Sequence, residues 1–361
     1  MTGDYQGNLV RHSAAQDRWL AQRAPEPALE PDWPIVDAHH HLMHLPSHGL
    51  HYLLDAFAAD LASGHRIVST VCVEGSGLTR AHGPEAWRPI GEIESLRGMA
   101  AMAESGHFGP TRVAEAIVGH VDLRLGDDAG PVLDAAIEAG GGRLRGIRHV
   151  TPYDTGTVGQ HILRPCPPNL LGDDTFRRGA RQLQQRGLSL DVWVFHTQLH
   201  EVAALARTCP ELPIVLNHAG TLLGVAEHAA TPAARAEAQT LWRQGLALLT
   251  PFPQVSIKIG GLGMPLVGLP FHRDAMPPTS QVLAQAWMPW LETCLAHVGP
   301  ARCLFESNFP VDRQSCGYSE LWNAFKRMTR ALSTSERSDL FSETARRVYR
   351  LQPLTPTEQN P

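Results

Sequence analysis

Eight short apolar runs, nearly all separated by stretches with helical spacing, constrain this 361-residue chain most. The runs are Ile35–His41, Ile67–Glu74, Ala116–Leu123, Leu144–Val150, Leu188–His196, Pro213–His218, Val255–Gly261 and Cys303–Asn308. They are rich in β-branched residues and short enough to be buried strands. No two lie close enough for a tight hairpin. The intervening stretches, such as Leu50–Gly64, Asp127–Ala139, Thr175–Arg186 and Gln281–His297, predict helices. Strand–helix alternation implies parallel strands joined by right-handed crossovers. Eight such units predict closure into an α/β (β/α)₈ TIM barrel. An open doubly wound sheet would show a Gly-rich phosphate loop after an early strand. Here that turn reads Asp37-Ala38-His39-His40-His41.

The barrel is expected over residues 34–350 as a single domain, with an N-terminal arm (1–33) and a C-terminal tail (351–361). The arm is Pro- and Glu-rich and carries one short helix near Ala14–Arg23. Two terminal helices, Tyr318–Leu332 and Glu336–Tyr349, follow the last strand; Ser333 and Glu336 form a capping-box pattern. Segments 151–173 and 262–278 are long and irregular, which in a compact domain suggests loops that shape a site.

Composition narrows the function. With 43% apolar and 19% charged residues and a net charge of −5, nothing marks a nucleic-acid or anionic-membrane partner. The six cysteines are scattered without a CxxC pair, which suits a reduced, cytoplasmic protein. No run approaches the roughly 18 apolar residues of a spanning helix. A homo-oligomer is ordinary for an enzyme of this size, but no sequence feature demands one.

Active sites of such barrels sit at the C-terminal ends of the strands. Reading those ends in turn gives His39 and His41, Glu74, Asp122, Arg148 and His149, His196, His218, Lys258, and Asn308 with Asp312 just beyond. In a strand, side chains alternate, so His39 and His41 should share a face and His40 should oppose them. Apolar strands ending in His, Glu, Arg and Lys are hard to explain as packing, because buried charge is costly unless paired. Glu74 reads equally as substrate-binding or as an ion-pair partner of Arg148 or Lys258. His40, His44, His48, His51 and His149 read as structural or surface residues.

The motifs DAHHH (37–41), VCVE (71–74), GIRH (146–149), VFHTQ (194–198), VLNHAG (215–220), KIGGLG (258–263) and ESNFPVD (306–312) follow one another in the order of a known family. The chain resembles the amidohydrolase superfamily, in the branch that holds pyrone-dicarboxylate lactonase and sugar-acid lactonases. The resemblance implies that His39, His41 and His196 would hold a Zn²⁺ if one is bound; with Asn308 in the usual base position, the proton falls to His218 or Asp312. It also aligns Asn308 with the usual strand-eight Asp base; an amide cannot take that proton. Arg148 stands where a bridging ligand would be, which argues against a two-metal site. Zn²⁺ and a metal-free site, with histidines polarising a carbonyl, both remain open. The expected activity is hydrolysis of a lactone or related cyclic ester or amide. The catalytic set would be His218, Asn308, Asp312 and His196, with Arg148, Lys258 and Glu74 binding a small anionic substrate. The alternatives are a non-oxidative decarboxylase of an aromatic or unsaturated acid and a non-catalytic ligand-binding barrel.

Overall fold

In the computed structural model, which describes residues 14–354, eight parallel strands run side by side in chain order. They are β1 Ile35–His40, β2 Ile67–Val73, β3 Arg112–Gly119, β4 Leu144–Val150, β5 Ser189–Trp193, β6 Ile214–Leu216, β7 Val255–Ile259 and β8 Cys303–Phe305. Backbone bonds beyond the end of β8 close the ring: Asn308 N donates to His39 O and His41 N to Phe309 O, both at 2.8 Å. The chain is a (β/α)₈ barrel. Helices α1 (Leu54–Leu61), α2 (Ile90–Ala103), α3 (Ala129–Gly140), α4 (Asp174–Gln185), α5 (Leu199–Thr208), α6 (Pro232–Ala247), α7 (Ser280–Val298) and α8 (Tyr318–Met328) follow strands one to eight in turn.

Two apolar layers result. Residues on the outer faces of the strands, such as Ile35, Ile117 and Ile257, pack against the helices. Val36, Ala38, Val71, Val73, Ala116, Val118, Val215 and Leu304 fill the barrel interior together with Tyr349, Leu351 and Leu354 from the chain's end. Burying each large side chain contributes roughly 1.5–3 kcal/mol. The last helical stretch starts at Thr334 behind the Ser333–Glu336 capping box, then passes through a π segment (Asp339–Glu343) into Thr344–Tyr349.

Four sequence expectations need correction. Leu50–Tyr52 is not helical; it pairs antiparallel with Met43–Leu45, a hairpin at the barrel mouth. α1 therefore begins at Leu54. β3 starts at Arg112, upstream of the expected Ala116, because the polar Glu115 is buried there against Ser69. Asp122 thus lies past the strand and caps the next turn through Arg124 N. β5 ends at Trp193, three residues before His196. The arm forms a helix at Ala14–Leu20, and its residues 26–30 bond to α8 through Glu320, Asn323 and Lys326. The remainder of the arm (1–13) and the end of the tail (355–361) lie outside the described residues.

Candidate active site at the barrel mouth

A local irregularity in β1 sets the site. Asp37 pairs with Thr70 and His40 with Cys72, so β1 advances three residues while β2 advances two. The extra residue is a bulge that re-aims the side chains after it. His39 and His41 then turn inward, their Nε2 atoms 3.1 Å apart, while His40 faces outward, stacked on Phe57 and bonded to Thr70 Oγ1.

Glu306 binds this pair to His218. Its Oε1 accepts from His218 Nδ1 (2.7 Å) and from the His218 backbone N–H (3.1 Å), and its Oε2 lies 3.0 Å from His39 Nδ1. The carboxylate is fully buried. Two glycines at the end of β7 make room for it: a Cβ on Gly260 would meet Glu306 Cγ at 2.3 Å, and one on Gly261 would meet the His218 ring at 2.6 Å. His218 and Asn308 both hold left-handed backbone, with φ of 54° and 53°. Non-glycine residues in that region are strained, and such strain gathers at functional sites.

These residues form one end of a cavity of about 300 Å³, lined by His41, Arg148, His218 and Asn308 and walled by Trp193, Phe195, Met264 and Leu266. Arg148 is spent on neighbours: Nε donates to Glu74 Oε1 (2.8 Å), Nη2 to the Glu74 carbonyl, and Nη1 sits 3.4 Å from His39 Nε2. Arg164, from the 151–173 segment, bonds both Glu74 oxygens at 3.1 and 2.9 Å. Burial alone would raise the Glu74 carboxyl, but Arg148 and Arg164 outweigh it and hold it well below the usual range.

The protonation logic of the histidines is unusual. Burial, then Lys258, holds the His39 imidazole well below its usual range, and burial, then Arg148, does the same for His41. Both rings are therefore neutral. His41 Nδ1 faces the Val73 carbonyl at 2.9 Å and must donate, leaving a lone pair on Nε2. If His39 donates from Nδ1 to Glu306, two lone pairs face each other at 3.1 Å. If it donates from Nε2 instead, Glu306 Oε2 is left buried without a donor. A cation between the rings resolves both conflicts, since two nitrogens about 2.0–2.1 Å from one tetrahedral zinc lie roughly 3.3 Å apart. His39, His218 and Glu306 also each bring one ligand-capable atom within 4.8 Å of the others. The donor set fits a single metal ion, with Arg148 as the local competitor for the His39 lone pair.

Several expected site residues sit elsewhere. His196 opens the turn after β5, accepts from Leu223 N at 3.4 Å and packs against His228; it does not line the cavity or join the His39 set. The proposed His39–His41–His196 ligand trio is therefore not assembled. Lys258 is fully buried beneath His39, paired with Asp191 at 2.7 Å, and cannot reach a substrate in the cavity. Glu74 is the ion-pair anchor of two arginines rather than a substrate contact. Asp312 is buried behind Asn308, accepting from Asn308 Nδ2 (2.9 Å) and Gly263 N (3.0 Å). Burial pushes its carboxyl up to about 8. With its amide NH₂ turned to Asp312, Asn308 leaves Oδ1 buried without a donor at the cavity wall.

The residue the sequence reading missed is Glu306. The signal was available in the sequence: in the expected strand Cys303–Asn308, positions 306 and 308 would share a face, with a carboxylate two residues before Asn308, although the strand ends at Phe305 and Asn308 is left-handed.

The family model for amidohydrolases matches residues 36–351. The chain belongs to the amidohydrolase family. Among curated relatives of this amidohydrolase, an uncharacterised protein, y4mH, of Sinorhizobium fredii is 30% identical over 300 residues, covering 83% of this chain and 86% of the relative. An L-fucono-1,5-lactonase of Burkholderia multivorans is 29% identical over 286 residues, covering 76% and 88%. A crystal structure of an amidohydrolase from Burkholderia multivorans, with zinc bound, superposes with a TM-score of 0.65 at 25% identity, covering 88% of this chain and 99% of that one. Among the described residues, no helix of this amidohydrolase is long and apolar enough to cross a membrane.

Proposed function

We propose that this amidohydrolase opens a lactone or related cyclic ester by water attack, at the end of the cavity where His218 and Asn308 meet. The observation that carries this reading is the Glu306–His218 pair. A carboxylate that accepts from Nδ1 fixes the tautomer and leaves Nε2 as the base, the arrangement of a general-base dyad. His218 Nε2 takes a proton from water as its oxygen bonds to the carbonyl carbon. The same proton passes to the ring oxygen as the C–O bond breaks, giving a hydroxy acid. Glu306 stabilises the imidazolium formed in between. Asn308 Oδ1 accepts a hydrogen bond from the attacking water and holds it in line.

His39 and His41 are the residues that would hold a zinc ion, with His218 and Glu306 beside them. Zinc there would polarise the carbonyl and bring a bound water towards a pKa of about 7. The lactonase relative, the zinc-bearing crystal structure and the paired Nε2 atoms support this reading.

Elemental analysis of protein purified without chelator, beside a panel of lactones, esters and amides, tests it. Lactone hydrolysis with about one zinc per chain, lost in His41→Ala, is the expected outcome. Release of CO₂ from an aromatic acid without lactone turnover would replace hydrolysis by decarboxylation; Glu306 supplies the strand-eight carboxylate that Asn308 does not. Tight binding with no turnover of any compound would make the barrel a receptor.

A further inference from the structure

The walls of the cavity say more than its catalytic end. Val158 and Ile162 from the 151–173 segment, with Phe195, Met264 and Leu266, form an apolar cluster separate from both layers of the barrel core. Four of these five are at most 2% exposed, yet all five line the cavity. Trp193 shows it no polar atom, because Nε1 donates to Thr221 Oγ1 at 3.0 Å.

The polar atoms around the cavity are mostly engaged with one another. Both nitrogens of His41 are committed, Ser76 Oγ donates to Glu74, and His48 is turned to Ser47. Besides His218 Nε2 and Asn308 Oδ1, which serve the attacking water, and the exposed rings of His48 and His161, the cation open to a ligand is Arg164. Only its Nη2 touches Glu74, and its side chain is 40% exposed at the mouth. Glu74 faces two guanidinium groups, those of Arg148 and Arg164.

We infer that the substrate is an aryl- or alkyl-bodied lactone bearing one carboxylate, and that Arg164 is the residue that selects it. This rests on the hydrolase reading above. A polyhydroxylated sugar lactone would need a partner for each ring hydroxyl, and the wall of Val158, Ile162, Phe195, Met264 and Leu266 supplies none from its side chains. An apolar body fits the walls, and a single carboxylate meets the free edge of Arg164, which suits planar bidentate pairing.

The test compares three substrates: a phenyl-substituted δ-lactone carrying a carboxylate, the same lactone without it, and an aldono-1,5-lactone. Wild-type kcat/KM should favour the carboxylated aryl lactone over the aldonolactone by about 100-fold or more. Arg164→Gln should raise KM for the carboxylated lactone about 10- to 100-fold, leave kcat within about threefold, and leave the neutral lactone unchanged. Arg164→Lys should recover part of the loss. Equal or better use of the aldonolactone overturns the inference, and so does an Arg164→Gln change that moves charged and neutral substrates alike. If no lactone turns over, the hydrolase reading fails by itself. The ligand class is then decided by titration calorimetry with a phenyl-substituted carboxylic acid. Binding that weakens in Arg164→Gln supports it, and absence of binding overturns it.

Discussion

Glu306→Gln is the sharpest perturbation of this site, because it keeps volume and shape while removing the charge. The carboxylate accepts from His218 Nδ1 at 2.7 Å and lies 3.0 Å from His39 Nδ1. A glutamine offers one acceptor and one NH₂, so one of the two rings meets a donor and must change tautomer. A hydrogen bond to a charged group is worth about 1.5–3 kcal/mol and a neutral one about 0.5–1.5 kcal/mol. The difference is about 1 kcal/mol per bond. Two such bonds and one misoriented ring give a loss of roughly 2–3 kcal/mol, or about 30- to 150-fold in kcat/KM. The loss belongs to kcat, since the imidazolium that Glu306 stabilises forms only during the reaction. The assay is lactone hydrolysis followed with a pH indicator, beside a thermal melt to show that the variant is folded. An activity within about threefold of wild type, with the fold intact, refutes the dyad.

Two further outcomes concern buried charge. The Asp312 carboxyl is raised to about 8, above its unfolded value near 3.9, so between those pH values the folded chain holds a proton that the unfolded chain has lost. Its contribution is complete below pH 4 and declines as pH rises towards 8. Asp312→Asn removes that decline, so urea melts should show it gaining a few kcal/mol on wild type between pH 5 and pH 8; a constant difference across that window refutes the assignment. Lys258→Met strands the Asp191 carboxylate with only Tyr349 Oη and Asn217 Nδ2 as donors, and should cost about 3–5 kcal/mol in urea unfolding. Adding Asp191→Asn should restore most of that loss, and a single variant within about 1 kcal/mol of wild type contradicts the pairing.

The barrel was legible because its eight strands are apolar and β-branched and its helices carry their own start and stop signals, such as Ser333 before Glu336. The mouth was harder to read, since tertiary contacts decide it. Leu50-His51-Tyr52 runs into a genuine helix at Leu54, and only its pairing with Met43–Leu45 reveals a strand. His196 was read as a strand end because the apolar run of β5 continues through Val194 and Phe195, although pairing stops at Trp193. The β1 bulge leaves no compositional mark. For Glu74 the sequence left a substrate contact and an ion pair equally open, and the structure pairs it with Arg148; for Lys258 only the structure shows the buried partner, Asp191, that accounts for its burial.

The closure of β8 against β1 bears on how the protein is made. Ser307 N donates to Asp37 across 270 positions of sequence, and Tyr349, in the last helical turn, reaches Asp191 beneath His39. A nascent chain halted before β8 holds His39 and His41 but neither Glu306 nor the strand that seals the ring. Such a fragment leaves β1 and β7 as open edges, and unpaired edges invite association between chains. Both the chemistry and the protection against aggregation therefore arrive together, once β8 and the helices that follow it have been made.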